Sequence, residues 1–430
     1  MVKKERKRIG IVTTWFERGA AYVSRQYKAL LDDDYDVFIF ARGGEEYAIG
    51  DPKWDGPHVT WATPCRIQVT MSINLDEFTG WIKNNALDIV FFNEQHWWPA
   101  VLAANETGVV TGSYVDYYTK ETVPFFRSFD FLICNTERHF SVFQDHPGAR
   151  YVPWGTDVEL FRPHSVEPVD PAHVTFFHSG GVSPHRKGCD AVIEAFARLT
   201  GPCALVIHAQ RDLKKHFPHL ADTIRALEAS GRLVCHEKTV SAPGLFHLGD
   251  VYVYPTRLEG IGLTIMEAAA CGLPVIVTDT GPMNEFITHG ENGRVVKVQR
   301  LEPRADGYYW PQAFCDLDDL TAHMQWYIDH RQELGELKQR ARAMAVQRFD
   351  WSAHKGDICG VFAQASKQPH DAQLVKSIRA FEARRGGLKA PSMLYSRFHA
   401  WARKNHPAFF DMCSALMAFL KSLKPGAQAS

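Results

Sequence analysis

Short apolar runs alternate with longer amphipathic segments through the first half of the chain. The pattern predicts a helix at Tyr22–Leu31. It also predicts strands at Ile9–Thr13, Asp36–Ala41, Asp88–Phe92, Val109–Val115 and Phe131–Cys134. Strands that are apolar on both faces and separated by helices indicate a parallel sheet covered on both sides.

Turn-forming residues at Tyr151–Pro163 interrupt the alternation, which then begins again. Helices are predicted at Cys189–Leu199, at Thr264–Ala270 and within Leu317–Phe349. The second set of predicted strands is Val174–His178, Ala204–His208, Leu233–Cys235, Val251–Tyr254, Val275–Thr278 and Arg294–Lys297. The fold class is therefore α/β, with two doubly wound, Rossmann-like parallel-sheet domains. Because such sheets bind ligands at the carboxyl ends of their strands, we expect a ligand in a cleft between the domains.

The turn-rich segment also predicts where the two domains meet. We place the boundary just after it, so that residues 1–165 form an N-terminal domain and residues 166–348 form a C-terminal domain. Residues 371–430 differ in composition, with ten Lys or Arg against three acidic residues and aromatic and aliphatic residues interleaved. We predict a basic amphipathic helical extension there. Contact with an anionic membrane, packing on the protein's own core and self-association all fit this pattern.

Composition narrows the functional classes. The 430 residues carry a net charge of −1, so no overall field attracts nucleic acid. The nine cysteines include no C-x-x-C pair, which predicts reduced thiols in a cytoplasmic protein. The first residues lack a signal-peptide core, and no apolar run is long enough to span a bilayer. We therefore expect a cytoplasmic location, with a peripheral position on the inner membrane face as the alternative.

The segment RLEGIGLTIMEAAACGLPVIVTDTG holds the most informative pattern. Glu259 and Glu267 flank a Gly-rich turn that opens a helix. Gly262 lets the backbone approach a ligand, and the free N–H groups from Leu263 and Thr264 onward favour an anion. Glu267 suits the hydroxyls of a ribose. The alternative interpretation is an ordinary strand–loop–helix turn with solvated acids. A dinucleotide-binding fold is disfavoured, since an isoleucine replaces the third glycine of its motif.

A second anion-binding element precedes this one in the same predicted domain. In SGGVSPHRKGCDAVIEAF, a Gly-rich loop after a strand carries Arg186 and Lys187 just before a helix. A basic pair beside a helix N-terminus is suited to a diphosphate. Surface loops often hold basic pairs, so this element gains its weight from the acid-flanked turn in the same domain.

Four stretches together carry a family resemblance. They are VPWGTDVELFRP, HRKGCDAVIEAF, GDVYVYPTRLEGIGLTIMEAAACGLPVIVTDTGPMNEFI and HGENGRVV, which lie between about Val152 and Lys297. Their order and spacing resemble the retaining GT-B glycosyltransferases of family 4, also called glycosyl transferases group 1. Glu259 and Glu267 occupy the family's E-x7-E element. The N-terminal half is similar only in outline, at RGAAYV. The resemblance also implies that residues 349–370 form a helix that crosses back to the N-terminal domain.

The resemblance implies a nucleotide-diphospho-sugar donor bound mainly by the C-terminal domain. Arg186 and Lys187 would hold its diphosphate, Glu267 its ribose, and Glu259 the transferred sugar. The other implied donor contacts are Gly19 and Ala20 at the phosphates, Thr239 and Val240 near the base, and Gly262, Leu263 and Thr264 at the phosphates and sugar.

Two positions depart from the family pattern. Gly181 stands where many members have an arginine six residues before the lysine, so Arg186 would supply that charge. Val115 stands where many members have a histidine, with Asp116 beside it. We assign Asp116 and Glu259 as the catalytic residues, with a helix cap or turn as the alternative role for Asp116. Glu94 and His96 lie on the same predicted rim, where packing is the favoured role for His96.

The predicted reaction is a metal-independent, retaining hexosyl transfer from a UDP- or GDP-linked sugar to a saccharide or lipid-linked acceptor. Fixed cations and helix-end amides would stabilise the departing diphosphate, so we expect no cofactor. The D-x-D spellings Asp32–Asp34 and Asp316–Asp318 lie at helix ends and fit solvated caps. The biological context would be bacterial cell-surface polysaccharide or glycolipid assembly. A sugar-nucleotide epimerase and a non-catalytic sugar-nucleotide scaffold remain the alternatives.

Overall fold

A computed structural model describes residues 6–42, 48–63, 71–164 and 172–385. Within these ranges the chain forms two compact units. The first takes in residues up to 133, residues 143–150 and residues from 358 onward, and the second takes in residues 134–142 and 151–357. The predicted extension beyond residue 385, together with Cys65 and Cys413, lies outside the described residues.

The strands of the described ranges form three sheets. They are β1 (Arg8–Thr13), β2 (Asp36–Ala41), β3 (Val59–Trp61), β4 (Ile89–Phe92), β5 (Val110–Tyr114), β6 (Phe131–Cys134), β7 (Ala149–Tyr151), β8 (Val174–Gly181), β9 (Cys203–Ala209), β10 (Leu233–Glu237), β11 (Val251–Tyr254), β12 (Val275–Thr278), β13 (Gly293–Val296), β14 (Val298–Glu302) and β15 (Gln312–Cys315).

Helices separate most of the strands. They are α1 (Gly19–Leu31), α2 (Leu75–Asn84), α3 (Trp98–Glu106), α4 (Glu137–Phe143), α5 (Pro184–Lys187), α6 (Cys189–Ala197), α7 (Leu213–His216), α8 (Ala221–Ala229), α9 (Leu263–Ala270), α10 (Leu317–Asp329), α11 (Leu334–Arg348), α12 (Lys355–Gln364) and α13 (Ala372–Arg384). Short 3-10 helices lie at Val123–Ser128, Pro218–Leu220, Phe246–Leu248, Met283–Phe286, Arg331–Glu333 and Trp351–His354. Across the described part of the chain, no helix is long and apolar enough to cross a membrane.

The two large sheets have closely related topologies. The first has the order β3-β2-β1-β4-β5-β6-β7, and the second has the order β10-β9-β8-β11-β12-β13. The pairs from β3 to β6 and all pairs of the second sheet are parallel. In each sheet the strand order reverses once, between β1 and β4 and between β8 and β11. These are the switch points where doubly wound sheets bind ligands.

Each unit has its own apolar core. In the first unit, Phe362 of α12 packs with ring centroids 5.2 Å from Phe91 and 5.3 Å from Phe131. Phe381 of α13 packs 5.2 Å from Phe125. In the second unit, α6 and α10 cover the sheet with residues such as Phe196. The predicted α/β class with two parallel-sheet domains and a helical C-terminal region is therefore confirmed.

The apolar runs predicted the long buried strands well and the exposed short elements poorly. Strands β3 and β7 are three residues long, too short for a period to show. The antiparallel pair β14–β15 was missed because Val298–Glu302 is mostly exposed and lacks an apolar run. Pro184–Lys187, predicted as a loop, is a one-turn helix that begins with proline and ends at Gly188 in the left-handed region.

The compact units divide the chain differently from the predicted bounds of 1–165 and 166–348. Residues 134–142 and 151–164 belong to the second unit. Backbone hydrogen bonds tie Thr156 to Phe349 at 2.6 Å and to Trp351 at 3.0 Å. Residues 358–385 belong to the first unit instead, where Phe362 and Phe381 fill its core.

Candidate functional site

The second unit gathers its chemical groups at the switch point between β8 and β11. After β8 the chain turns at Gly181 and forms α5, which carries Arg186 and Lys187. After β11 it forms the loop that leads to α9. The two loops are tied together, because the Arg257 amide donates to the Arg186 carbonyl at 2.8 Å. The predicted anion-binding elements are thus neighbours in space.

Glu259 is the centre of this cluster. It is 8 % exposed. Its Oε1 atom lies 2.7 Å from Lys187 Nζ, 3.0 Å from Arg186 Nη1, 2.7 Å from Thr256 Oγ1 and 2.8 Å from the Tyr254 hydroxyl. Burial raises the pKa of Glu259, but the opposite effect of the two cations is larger, and the pKa falls to about 2. Glu259 is therefore a fixed carboxylate anion.

Lys187 is held by the same cluster. Its ammonium donates to the Tyr254 hydroxyl and lies 4.9 Å from the centre of the Tyr254 ring. Burial lowers the pKa of Lys187 to about 8, against the opposite effect of Glu259. Arg186 also donates to the Leu258 carbonyl at 2.6 Å. Because one carboxylate faces two cations, the group keeps a net positive charge that can attract an anion.

Glu267 behaves differently from Glu259. It lies half-buried one turn into α9, and no hydrogen bond or ion pair to its carboxylate is found among the described residues. Burial raises the pKa of Glu267 to about 7, with Lys187 opposing the rise. The carboxyl group is thus available to hydrogen-bond partners from outside the protein.

The N-terminus of α9 lies between the two glutamates in the sequence. Gly262 is its N-cap residue, with φ of 88°, and supplies no side-chain cap. Across the described residues, the amides of Leu263 and Thr264 have no hydrogen-bond acceptor, while the Ile265 amide bonds to the Gly262 carbonyl at 2.9 Å. Free amides at a helix N-terminus favour an anion, as the sequence predicted.

The remaining predicted residues of this unit lie at the same edge of the sheet but make no contact with the Glu259 cluster. Gly181 ends β8 with φ of 51°, and a Cβ atom there would meet nothing within 4 Å. Thr239 is exposed and Val240 half-buried, just beyond the carboxyl end of β10. They lie two strands from β8.

Sequence reasoning missed two residues that contact the acid-flanked loop. His139 Nε2 lies 2.9 Å from the Gly260 carbonyl, and Arg138 Nη2 lies 3.5 Å from the Glu259 carbonyl oxygen. Both come from α4, which we had placed in the N-terminal domain. No local pattern in NTERHF indicates this contact, since it depends on where α4 packs. Tyr254 and Thr256 were also missed, although they flank the motif in the sequence.

The predicted residues of the first unit lie at that unit's own switch point. Gly19 begins α1, directly after β1. The Ala20 carbonyl accepts a hydrogen bond of 2.8 Å from Asn93, which follows β4. Their predicted contact with a donor phosphate stays a prediction.

Asp116 and His96 form a second polar group in the first unit. Asp116 Oδ2 lies 3.8 Å from His96 Nε2, and the two side chains are 14 % and 25 % exposed. Burial and the nearby Glu94 raise the pKa of Asp116 well above its usual value. Burial, Arg42 and Arg385 lower the pKa of His96 to about 3. No helix begins at Asp116, so the structure does not support a helix cap, whereas a hydrogen bond from the Tyr117 amide to the Asp116 carboxyl group fits the turn alternative.

The D-x-D spellings are helix caps, as predicted. Asp32 is the C-cap residue of α1, and Asp316 is the N-cap residue of α10, where it accepts from the Asp319 amide at 2.9 Å. Among the described residues, no group of three or more His, Cys, Asp or Glu side chains is arranged to hold a metal ion.

Solved structures define the class of fold. The chain aligns with the structure of Anabaena HepE in complex with UDP and glucose, with a TM-score of 0.64 and 16 % identity, over 83 % of this chain and 100 % of that one. It also aligns with WaaG, a glycosyltransferase involved in lipopolysaccharide biosynthesis, with a TM-score of 0.59 and 15 % identity, over 82 % of this chain and 99 % of that one. The chain has the GT-B fold.

Sequence comparisons link the second unit to a family of enzymes. Residues 173–306 match the family described as glycosyl transferases group 1. The chain is 30 % identical to D-inositol 3-phosphate glycosyltransferase of Pseudarthrobacter chlorophenolicus over 249 residues, which are 51 % of this chain and 52 % of that protein. It is 30 % identical to the lipopolysaccharide core biosynthesis mannosyltransferase LpsB of Rhizobium meliloti over 189 residues, 41 % of this chain and 52 % of that protein.

The match of residues 173–306 to the group 1 glycosyltransferase family model confirms the resemblance that the motifs of that part of the chain carry. The chain spans about half the length of the curated relatives that it matches.

Proposed function

We propose that this protein transfers a hexose from a nucleotide-diphospho-sugar to an acceptor, with retention of configuration and without a metal ion. The observation that carries the proposal is the cluster of Glu259, Arg186 and Lys187 beside the free N-terminus of α9. A structural turn needs none of these charges, and withdrawing them from water costs free energy, so their presence in one cluster points to a functional site.

The cluster suits a diphosphate leaving group. Lys187 and Arg186 would bind its oxygens together with the amides of Leu263 and Thr264, and so stabilise the charge that develops as the bond to the sugar breaks. Glu259 would hold these cations in place and accept a hydrogen bond from the transferred sugar. Glu267 would accept hydrogen bonds from the ribose hydroxyls.

The acceptor would attack the same face of the sugar that the diphosphate leaves. In that step the bond from the sugar carbon to the phosphate oxygen breaks, and the bond from that carbon to the acceptor oxygen forms. The acceptor proton passes to the departing phosphate oxygen. Asp116 would help to position one of the sugars by hydrogen bonding, and Gly19 and Ala20 would approach the phosphates.

The related proteins suggest the chemical class of the donor and of the acceptor, but not the individual molecules. The solved HepE structure holds UDP and glucose, and a mannosyltransferase of Mycobacterium tuberculosis that is 27 % identical over 195 residues is named as GDP-mannose-dependent, so UDP- and GDP-linked hexoses are both candidates. One relative is named as a D-inositol 3-phosphate glycosyltransferase and the other as a lipopolysaccharide core biosynthesis mannosyltransferase, which supports a saccharide or lipid-linked acceptor.

Release of nucleoside diphosphate from a panel of UDP- and GDP-hexoses tests the proposal. We expect release from one donor class, undiminished by a metal chelator, and loss of release in Glu259→Ala. Glu267→Ala should mainly weaken donor binding. If the protein binds the nucleotide sugar but releases no nucleoside diphosphate with any acceptor supplied, the result would instead support the non-catalytic scaffold. An inverted anomeric configuration in the product would contradict retention.

The hypothesis that residues 371–430 contact a membrane must be restricted to part of that segment. Ile378 and Phe381 of α13 are buried in the first unit, so this helix is not available to a bilayer through those residues. We propose that any membrane contact or self-association comes from residues 386–430. Vesicles of anionic lipid should bind the full chain more strongly than a chain ending at Arg385, and equal binding would end the hypothesis.

A further inference from the structure

The two carbonyls that follow each other in the acid-flanked loop are both contacted by α4. Arg138 Nη2 lies 3.5 Å from the Glu259 carbonyl oxygen, and His139 Nε2 lies 2.9 Å from that of Gly260. Burial and Arg138 lower the pKa of His139 to about 3, so its ring is neutral. Since a carbonyl only accepts, the Nε2 atom of His139 carries the proton.

The same helix also reaches a second loop of the unit. Arg138 Nη1 donates to the Gly281 carbonyl. Glu285 accepts hydrogen bonds from the backbone amides of Glu137 at 2.7 Å and of Arg138 at 3.0 Å. Helix α4 therefore joins the loop after β11 to the loop after β12 through one buried arginine and one carboxylate.

The β14–β15 hairpin completes the arrangement. Trp310, in the connection between these strands, lies under the Arg138 guanidinium at 4.8 Å from its ring centre. The hairpin is itself fixed to the acid-flanked loop, because the Ala313 amide donates to the Arg257 carbonyl at 2.8 Å. Arg138 thus lies against an aromatic ring while its donors reach two loops.

These contacts matter because of what the loop carries. The carbonyls of Glu259 and Gly260 belong to the residues that set where the Glu259 side chain points and where α9 begins. A shift of about 1 Å in a group that positions a substrate can cost on the order of 100-fold in rate. A loop with glycines on both sides of Ile261 has little stiffness of its own, so contacts from outside must supply it.

We propose that Arg138 is a positioning residue for the donor site, which holds the Glu259–Gly260 loop against the Gly281 loop while Trp310 holds Arg138. The inference rests on the proposed function for its catalytic consequence. It makes the β14–β15 hairpin, which lies outside the motifs of the family resemblance, a part of the donor site's architecture.

The first readout is hydrogen–deuterium exchange of the full-length protein without ligand, compared among wild type, Arg138→Ala, Trp310→Ala and Trp310→Phe. We expect faster exchange of the hydrogen-bonded amides that close the two loops, Ile265 in the first and Asn284, Glu285 and Ile287 in the second, in Arg138→Ala and Trp310→Ala. Trp310→Phe should stay close to wild type. Arg232→Ala is the matched control. Its guanidinium covers Phe196 at 4.9 Å and binds the Leu199 carbonyl at 3.2 Å, away from both loops.

The second readout is donor turnover. Arg138→Ala should lower nucleoside diphosphate release by about 10- to 100-fold. The affinity for the free nucleotide should change by less than about threefold, because Lys187 and the α9 amides remain. The double variant Arg138→Ala/Trp310→Ala should be no worse than Arg138→Ala alone, since Trp310 acts through Arg138.

Unchanged exchange in both loops of Arg138→Ala would overturn the inference whatever the activity. Additive losses of turnover in the double variant would also overturn it. If the loops do exchange faster while the wild-type protein releases no nucleotide from any donor, the positioning role stands and the proposed function fails.

Discussion

Each of the two units places a polar cluster beyond the carboxyl ends of its parallel strands, but the two clusters favour opposite charge states. In the second unit, Glu259 stays ionised because two cations contact it. In the first unit, burial favours the neutral forms of both Asp116 and His96. The first arrangement suits a ligand with permanent charge, such as a diphosphate, and the second suits uncharged hydroxyls.

The largest expected effect comes from breaking the charged cluster. Glu259→Ala leaves Arg186 and Lys187, whose side chains are 35 % and 16 % exposed, without their carboxylate, so we expect a loss of about 2 kcal/mol in the free energy of unfolding. Turnover should fall by about 100- to 1,000-fold. Urea denaturation and donor release measure the two effects. Glu336→Ala, on an exposed position of α11 in the same unit, should change neither.

Donor affinity should depend on pH in a way that reports the same cluster. Glu267, with a pKa of about 7, accepts ribose hydroxyls best when ionised, and Lys187, with a pKa of about 8, binds phosphate only when protonated. Affinity should therefore be greatest between these two values and fall by up to about tenfold per pH unit on either side.

A nucleotide sugar is the right titrant for this profile, because its diphosphate lacks the terminal ionisation near pH 6 that a free nucleotide has. Glu267→Gln should remove the fall on the acidic side and leave the alkaline side intact. A profile that is flat from pH 6 to pH 9 would show that neither group contacts the donor.

A smaller effect is expected where α13 supports the first unit. The buried Glu382 carboxylate accepts a hydrogen bond of 3.1 Å from the Trp98 amide at the start of α3, which directly follows the segment that holds Glu94 and His96. Glu382→Ala should lower the free energy of unfolding by about 1 kcal/mol through the lost cap. Arg379→Ala, exposed on the same helix, is the control. Equal stability of the two variants would contradict this role of α13.

The smallest effect should follow Asp116→Asn. When the pKa of a carboxyl group is raised by folding, the free energy of unfolding of the protein decreases as the pH rises above the pKa of that group in the unfolded chain. The reason is that the folded state disfavours the ionised form. The variant should therefore match wild type at pH 4 and gain on it by pH 8, with no large loss at either pH. A clear loss at pH 8 would mean that Asp116 functions as a stabilised anion like Glu259.

The sequence predicted the strands and the acid-flanked turn because these depend on short local patterns. The runs Val251–Tyr254 and Val275–Thr278 consist of aromatic and β-branched residues, and the structure has strands with the same bounds. The positions of Arg186, Lys187 and Glu259 near one another follow from the parallel sheet. That Glu259 binds both cations directly did not follow, since it depends on side-chain directions within the cluster.

What the sequence could not predict depends on contacts between distant segments. Arg138 and His139 lie more than a hundred residues before the loop they contact, and no local pattern links them to it. The contact of Glu382 with the Trp98 amide spans a still longer separation. The hairpin that carries Trp310 has one exposed strand, so its hydrophobic pattern is weak. The sequence does not show how side chains pack, and in the sequence alone these residues look like ordinary surface residues.

A crystal structure with the bound nucleoside diphosphate of the active donor class tests the central claim most directly. We predict that the terminal phosphate lies within hydrogen-bonding distance of Lys187 Nζ and of the Leu263 and Thr264 amides, with the ribose on the Glu267 carboxylate. A nucleotide bound elsewhere, with Lys187 still paired only to Glu259 and Tyr254, would contradict it.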